Sequence, residues 1–255
     1  MVDAPVGFHC PECARPGGSA GYPVRTPTTV AGAQYISKPF VTYALIAISL
    51  AAFGLQYLTG ISEVAANYGM WPVAISMGGE WWRFLTSAFL HGSFLHIAFN
   101  MYVLFALGPT LERILGHTRF IVLYLAAALG GAIASYQFSE PTVVSVGASG
   151  AIFGLMGALV VAGKRLRYDI TQVLVLIGIN IAIGFIAPQV DWRAHLGGLV
   201  VGAAVAALMV YAPRRNRALI QIAGVVGILA ILTAVALART STLQEFYAPI
   251  QGMLA

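Results

Sequence analysis

The sequence predicts an all-α polytopic membrane protein, a helical bundle with seven transmembrane helices. Composition is the first reason: of 255 residues, 59% are hydrophobic and only 9% charged, where a soluble domain carries roughly 25%. Mean hydropathy is +0.82. Segment length is the second: seven intervals free of Asp, Glu, Lys and Arg reach the roughly 20 residues that a bilayer requires of a helix. The third is that basic residues gather in alternate connections between these intervals. A soluble enzyme, a disordered chain and a disulfide-rich secreted scaffold are excluded. The net charge of +5 does not signal a nucleic-acid partner, because its carriers are spread in short groups rather than clustered on one exposed face.

Along the chain, residues 1–38 read as a short cytoplasmic tail. Pro5, Pro11, Pro16, Pro23 and Pro27 oppose a helix there, and no apolar core of a cleavable signal peptide is visible. Cys10 and Cys13, with His9 alongside, form one knuckle where tetrahedral zinc requires four ligands. Reduced thiols in a disordered tail are expected, with no metal; zinc shared between two chains is the alternative. The spans fall at about 39–59, 92–110, 119–138, 146–163, 170–188, 193–212 and 218–238. Between the first two, Glu80, Trp81, Trp82 and Arg83 precede an apolar stretch, which suits a segment at the membrane interface. After the sixth span, residues 213–255 comprise a basic linker, the seventh helix and a C-terminal tail.

Orientation follows from the basic residues. Eleven lie on the N-terminal side of the membrane and three, Arg83, Arg193 and Arg239, on the other. This places the N-terminus in the cytoplasm and the C-terminus outside. A multi-pass protein of the cell membrane is expected, with the lipid bilayer as its surroundings and its oligomeric state open.

Polar residues inside spans mark function by default. His96 and Asn100 lie on one face of the second span, Ser149 in the fourth, Asn180 in the fifth and His195 in the sixth. The second, fourth and sixth spans run the same way, so all of these but Asn180 fall near the outer surface. Gly147, Gly150 and Gly154 share a face, as do His195, Gly198 and Gly202. Small residues at this spacing let helix backbones approach closely, which would bring the Ser149 hydroxyl to the His195 imidazole. An imidazole can take the proton of an attacking serine and return it to a leaving amine. His96, Asn100 and the Ser149 N–H could then stabilise the oxyanion. Such a set suits amide hydrolysis in a polar cavity open to the outside.

These residues resemble the rhomboid intramembrane serine proteases. The resemblance runs over residues 39–212, a six-helix core to which the seventh helix is an addition. It rests on Gly147-Ala148-Ser149-Gly150, on Ala194-His195 with Gly198 and Gly202, on His96 and Asn100 in HxxxN, on Trp82-Arg83, and on Glu112 with Gly116. It implies Ser149 as nucleophile, His195 as general base, and His96 and Asn100 in the oxyanion hole. Where many relatives have a tyrosine that stacks on the histidine, Phe153 stands here; its ring can still stack, but it lacks the hydroxyl. The implied reaction is cleavage of transmembrane or juxtamembrane segments of membrane proteins, with small residues before the cut and helices that unwind easily. No cofactor is implied.

Two rival readings stand beside it. A catalytically silent relative that binds and routes membrane proteins usually lacks the serine or the histidine. A proton channel or transporter requires polar residues through the inner half of the spans, and those halves are almost wholly apolar. Asp191, four residues before His195, reads as a solvated residue at a helix N-terminus rather than a triad acid. Asn180 reads as an interhelical or cavity residue, and His91 as a water contact without chemistry.

Overall fold

The computed structural model describes residues 2–3, 8–9, 28–187 and 190–254; Cys10 and Cys13 lie outside them. Val2–Asp3 (β1) pairs antiparallel with Phe8–His9 (β2). The helices are α1 (Phe40–Thr59), α2 (Ile61–Tyr68), α3 (Pro72–Gly78), α4 (Arg83–Thr86), α5 (Phe94–Leu115), α6 (His117–Phe138), α7 (Ser149–Leu166), α8 (Thr171–Ile186), α9 (Trp192–Tyr211) and α10 (Arg217–Leu254). Among the described residues, α1, α5, α6, α7, α9 and α10 are long and apolar enough to cross a membrane. The remaining predicted span, α8, is an apolar helix of 16 residues. The chain is a multi-pass helical bundle.

Local chemistry sets the helix ends. Ser93 caps α5, its hydroxyl accepting the His96 N–H at 3.2 Å, which satisfies one of the first-turn donors. Gly116, at φ 78°, ends α5 and turns the chain directly into α6. The carbonyl end of α7 carries Lys164 and Arg165, charges that suit the negative end of the helix dipole.

At the centre stand α6, α7 and α9. Glycines make their contacts backbone to backbone. Gly150 faces Gly198 and Gly154 faces Gly202, so α7 and α9 run parallel; Gly130 and Gly131 of α6 meet Gly197 and Ala194 antiparallel to them. A Cβ on Gly198 would stand 1.9 Å from the Gly150 carbonyl oxygen, and one on Gly202 2.3 Å from the Gly154 Cα. In a membrane, such close approach replaces the hydrophobic effect as the source of helix association.

Outside this core, α1 packs on α5 through a face of Thr42, Leu45, Ser49, Phe53 and Gln56. α8 sits at the edge, packed mainly on α7 and α9. The part of the predicted tail that is described is partly packed: Ala31 is buried and its carbonyl accepts from Gln221 of α10 at 3.2 Å.

The seventh helix runs well past its predicted end at 238. No helix breaker intervenes before Pro249, and Ala236, Thr240, Leu243 and Tyr247 form one stripe. Its apolar members pack with Ile75, Phe84 and Tyr136, while Thr240 bonds the Tyr136 hydroxyl at 2.7 Å. Gln244 donates to the Ser76 carbonyl at 2.8 Å. The C-terminal part of α10 therefore braces α3 instead of forming a free tail.

Candidate active site

Ser149 is the first residue of α7. The loop before it is held on two sides. Met70 and Ser145 exchange backbone hydrogen bonds of 2.9 Å, and the Gly147 N–H donates to the Ser87 carbonyl at 2.9 Å. Gly147 has φ 138°, a region that favours glycine. Its missing side chain also makes room: a Cβ there would lie 2.7 Å from Nε2 of His96 and 3.7 Å from the Ser149 hydroxyl oxygen. A cavity of about 20 Å³ behind this loop is lined by Ser87, Ser145, Gly147, Gly150 and Ala194, among others, enough space for one water.

His195 lies in the first turn of α9, buried, beside the Ser149 end of α7. The Phe153 ring, one turn after Ser149 on the same face, stacks on the imidazole with centroids 4.1 Å apart and planes 11° from parallel. The ring covers one face of the imidazole. In this structure the Ser149 hydroxyl makes no hydrogen bond to His195, and the buried Nδ1 of His195 is unpaired. Catalytic hydrogen bonds commonly tighten only once substrate is bound.

His96 presents its Nε2 edge to Gly147. Its Nδ1 receives the Gly92 N–H at 3.4 Å, which favours the tautomer with the proton on Nε2, pointed at the serine loop. Asn100 is buried and donates to the His96 carbonyl at 3.0 Å, so one of its amide hydrogens supports its own helix and the other is free. His91 is fully buried, edge-on to His96 with centroids 5.1 Å apart, and both its ring nitrogens lack partners. Burial, with His96 beside it, pushes His91 down to about 3, so it is neutral at physiological pH. It is enclosed, so it does not stand at an open cavity mouth.

The remaining singled-out residues have structural places. Trp82 is exposed, while Arg83 is buried and paired with Glu80. The Arg83 guanidinium also donates to the Ala66 and Gly69 carbonyls at 2.8 and 2.9 Å, tying α2 to α4. Glu112, fully buried, receives the Val41 N–H at 3.0 Å, the Thr42 N–H at 2.8 Å, the Thr42 hydroxyl at 2.6 Å, and pairs with His117 at 2.5 Å. It fastens the start of α1 to the α5–α6 corner, far along α5 from His96. Asn180 donates to Leu176 of its own helix at 2.9 Å, not across helices.

One polar feature is absent from the sequence reading, and a second differs from it. Gln56 of α1 brackets the His91 backbone, donating to its carbonyl at 3.3 Å and accepting its N–H at 3.0 Å; a polar residue within an apolar span was the available signal. Asp191 is half-buried, not solvated. Its carboxylate accepts the Ala194 N–H at 3.2 Å, the Ser145 hydroxyl at 2.7 Å and the Ser135 hydroxyl. Among the described residues, no group of three or more His, Cys, Asp and Glu side chains is placed to hold a metal.

The Rhomboid domain family model matches residues 78–212. Rhomboid protease GluP of Bacillus subtilis (strain 168) is 41% identical over 180 residues, which cover 68% of this chain and 35% of GluP. RHOMBOID-like protein 5 of Arabidopsis thaliana is 38% identical over 133 residues, 49% of this chain and 42% of the relative. Rhomboid protease AarA of Providencia stuartii is 27% identical over 209 residues, 69% of this chain and 74% of AarA. The chain thus spans about a third of GluP's length. The matched domain takes in α4 to α9 and the whole of the glycine-lined centre, and the chain belongs to the rhomboid family.

Proposed function

We propose that the chain is an intramembrane serine endopeptidase that cleaves transmembrane or juxtamembrane segments of membrane proteins with a Ser149–His195 dyad. The observation that carries this reading is the Phe153 ring stacked on His195, at the parallel α7–α9 contact whose first glycine pair adjoins Ser149. The Ser149 oxygen attacks the scissile carbonyl carbon while its proton passes to the His195 imidazole. As the tetrahedral intermediate collapses, the C–N bond breaks and the imidazolium gives that proton to the leaving amine. Water, deprotonated by the same imidazole, then hydrolyses the acyl-enzyme.

The oxyanion forms over the N-terminus of α7, where first-turn N–H groups have no helical acceptor and the helix dipole favours negative charge. The Ser149 N–H, the His96 Nε2–H and the free hydrogen of the Asn100 amide are its donors. Substrates are membrane-spanning helices with small residues before the cut, and they must unwind because a helical amide is hydrogen-bonded and shielded. By family analogy such a segment enters beside α8, which sits at the edge of the bundle against α7 and α9. The protein resides in the cell membrane with its N-terminus cytoplasmic and the site near the outer face, consistent with the eleven-to-three distribution of basic residues and with positive-inside sorting.

The test is cleavage of a tagged single-span reporter by the purified protein in detergent. Wild type cleaves it, and Ser149→Ala and His195→Ala do not. Cleavage surviving Ser149→Ala removes the nucleophile from the proposal. Absence of both cleavage and fluorophosphonate labelling in the wild type favours a silent membrane-protein binder.

A further inference from the structure

We propose that Asp191 is a positioning residue for the dyad: its carboxylate clamps the serine loop and α6 to the cap of the histidine helix. This inference rests on the protease reading for its effect on turnover, but the clamp itself is a separate structural statement.

The Ser149-bearing loop joins α6 to α7, and His195 comes from α9, more than forty residues further on. Glycine contacts hold the helices together lower down, but without side chains they offer no hydrogen bond that sets the loop against the α9 N-terminus. Asp191 supplies one. Through Oδ1 it accepts the Ala194 N–H at 3.2 Å, capping α9 one residue before His195. Through Oδ2 it accepts the Ser145 hydroxyl at 2.7 Å and the Ser135 hydroxyl. Ser145 lies four residues before the nucleophile, and its backbone is bridged to Met70. Ser135, on α6, is also paired with Ser139 at 3.1 Å. One carboxylate therefore fixes three chain segments whose relative placement sets the Ser149–His195 approach, and hydrogen bonds to an ionised acceptor are about twice as strong as neutral ones.

This is not a catalytic triad. Asp191 sits one turn before His195, but both of its oxygens are occupied by other donors, while Nδ1 of His195 has no partner. The carboxylate acts through the backbone of α9 and through the serine loop, without touching the imidazole.

The experiment compares wild type with Asp191→Ala, Asp191→Asn and Ser145→Ala. Amide hydrogen exchange reads the clamp, and reporter kinetics read its effect, with kcat referred to sites titrated by fluorophosphonate. In Asp191→Ala, exchange speeds up together in residues 143–148 and in the first turn of α9. Its kcat per titrated site falls about 10- to 100-fold with KM within about twofold, since a misplacement near 1 Å is worth roughly that. Asp191→Asn keeps the capping oxygen and offers its amide hydrogens to the serine oxygens, so it retains kcat within about threefold. Ser145→Ala, which keeps the cap, shows the loop exchange effect and an intermediate loss. Unchanged exchange in Asp191→Ala and Ser145→Ala overturns the clamp. An Asp191→Asn loss equal to that of Asp191→Ala also overturns it, assigning the effect to charge. If wild type neither labels nor cleaves, the protease reading fails while exchange still decides the clamp. If Asp191→Ala does not fold, Ser145→Ala decides it.

Discussion

The Gly198→Ala variant asks the most of this architecture for the smallest chemical change. The added methyl carbon would lie 1.9 Å from the Gly150 carbonyl oxygen and 2.6 Å from its carbon, roughly 1.5 Å inside ordinary van der Waals contact. The obstacle is backbone on both sides, so no rotamer change relieves it; α7 and α9 must part. Overpacking of this kind costs about 1–3 kcal/mol. Because Ser149 starts α7 and His195 lies in the first turn of α9, nearly the whole displacement falls between the proposed nucleophile and base. A misplacement near 1 Å is worth about 100-fold in rate, so kcat should fall by one to two orders of magnitude, with a lower thermal midpoint in detergent. Reporter cleavage and a melting curve measure the two. Gly178→Ala is the control, since a Cβ at Gly178 meets nothing within 4 Å, and it should leave both quantities unchanged. Wild-type kcat and melting in Gly198→Ala would refute the claim that backbone contact sets the dyad.

Further outcomes follow from single contacts. Phe153→Ala removes the ring stacked on His195 and should lower kcat about tenfold, while Phe153→Tyr keeps the stack and stays within about threefold; steady-state kinetics on the same reporter compare them. Gly147→Ala combines a left-handed φ with a methyl against His96 Nε2 and should cut kcat by about 10- to 100-fold, the scale of a lost oxyanion donor, with KM little changed. Arg83→Met strands the Ala66 and Gly69 carbonyls and the Glu80 carboxylate. It should destabilise the α2–α4 segment by about 2–3 kcal/mol, discounted for the partial exposure of Glu80, seen as a lower melting temperature and faster proteolysis between residues 60 and 80.

How much was legible in the sequence depended on whether a feature was periodic or relational. Charge-free length marked the helices to within about five residues, the end of the seventh excepted, because a bilayer imposes that length. The glycine faces on α7 and α9 were legible because small residues at i, i+3, i+4 intervals have one use in an apolar helix. The matching pair on α6, Gly130 and Gly131, was passed over, hidden in a run of alanines. Asp191, Gln56 and Ser135 escaped for another reason: their roles lie in partners 35 to 56 residues away, and nothing local distinguishes a clamp from a solvated cap. Asn180 shows the converse, a polar residue in a span that bonds only its own helix. The end of α10 differs from the expectation because Arg239 reads as the membrane boundary, whereas the helix continues past it along a face that packs on α3 and α6.

The lengths of the outer helices have a consequence for the surrounding lipid. At 1.5 Å per residue, α8 is roughly 24 Å long and α10 roughly 57 Å, against a hydrocarbon layer of about 30 Å. The charge-free run of α10, residues 218–238, matches that layer at roughly 32 Å, so the mismatch falls at α8. Around α10 there is helix to spare on the far side, but beside α8 about 6 Å of acyl chain has no matching helix, and the lipids there must compress or tilt at a cost of fractions of a kcal/mol per Å. That elastic load presses on the least supported helix of the bundle. Acyl-chain length thereby becomes a control variable: short-chain lipids relieve α8, long-chain lipids strain it, and the buried glycine core feels neither.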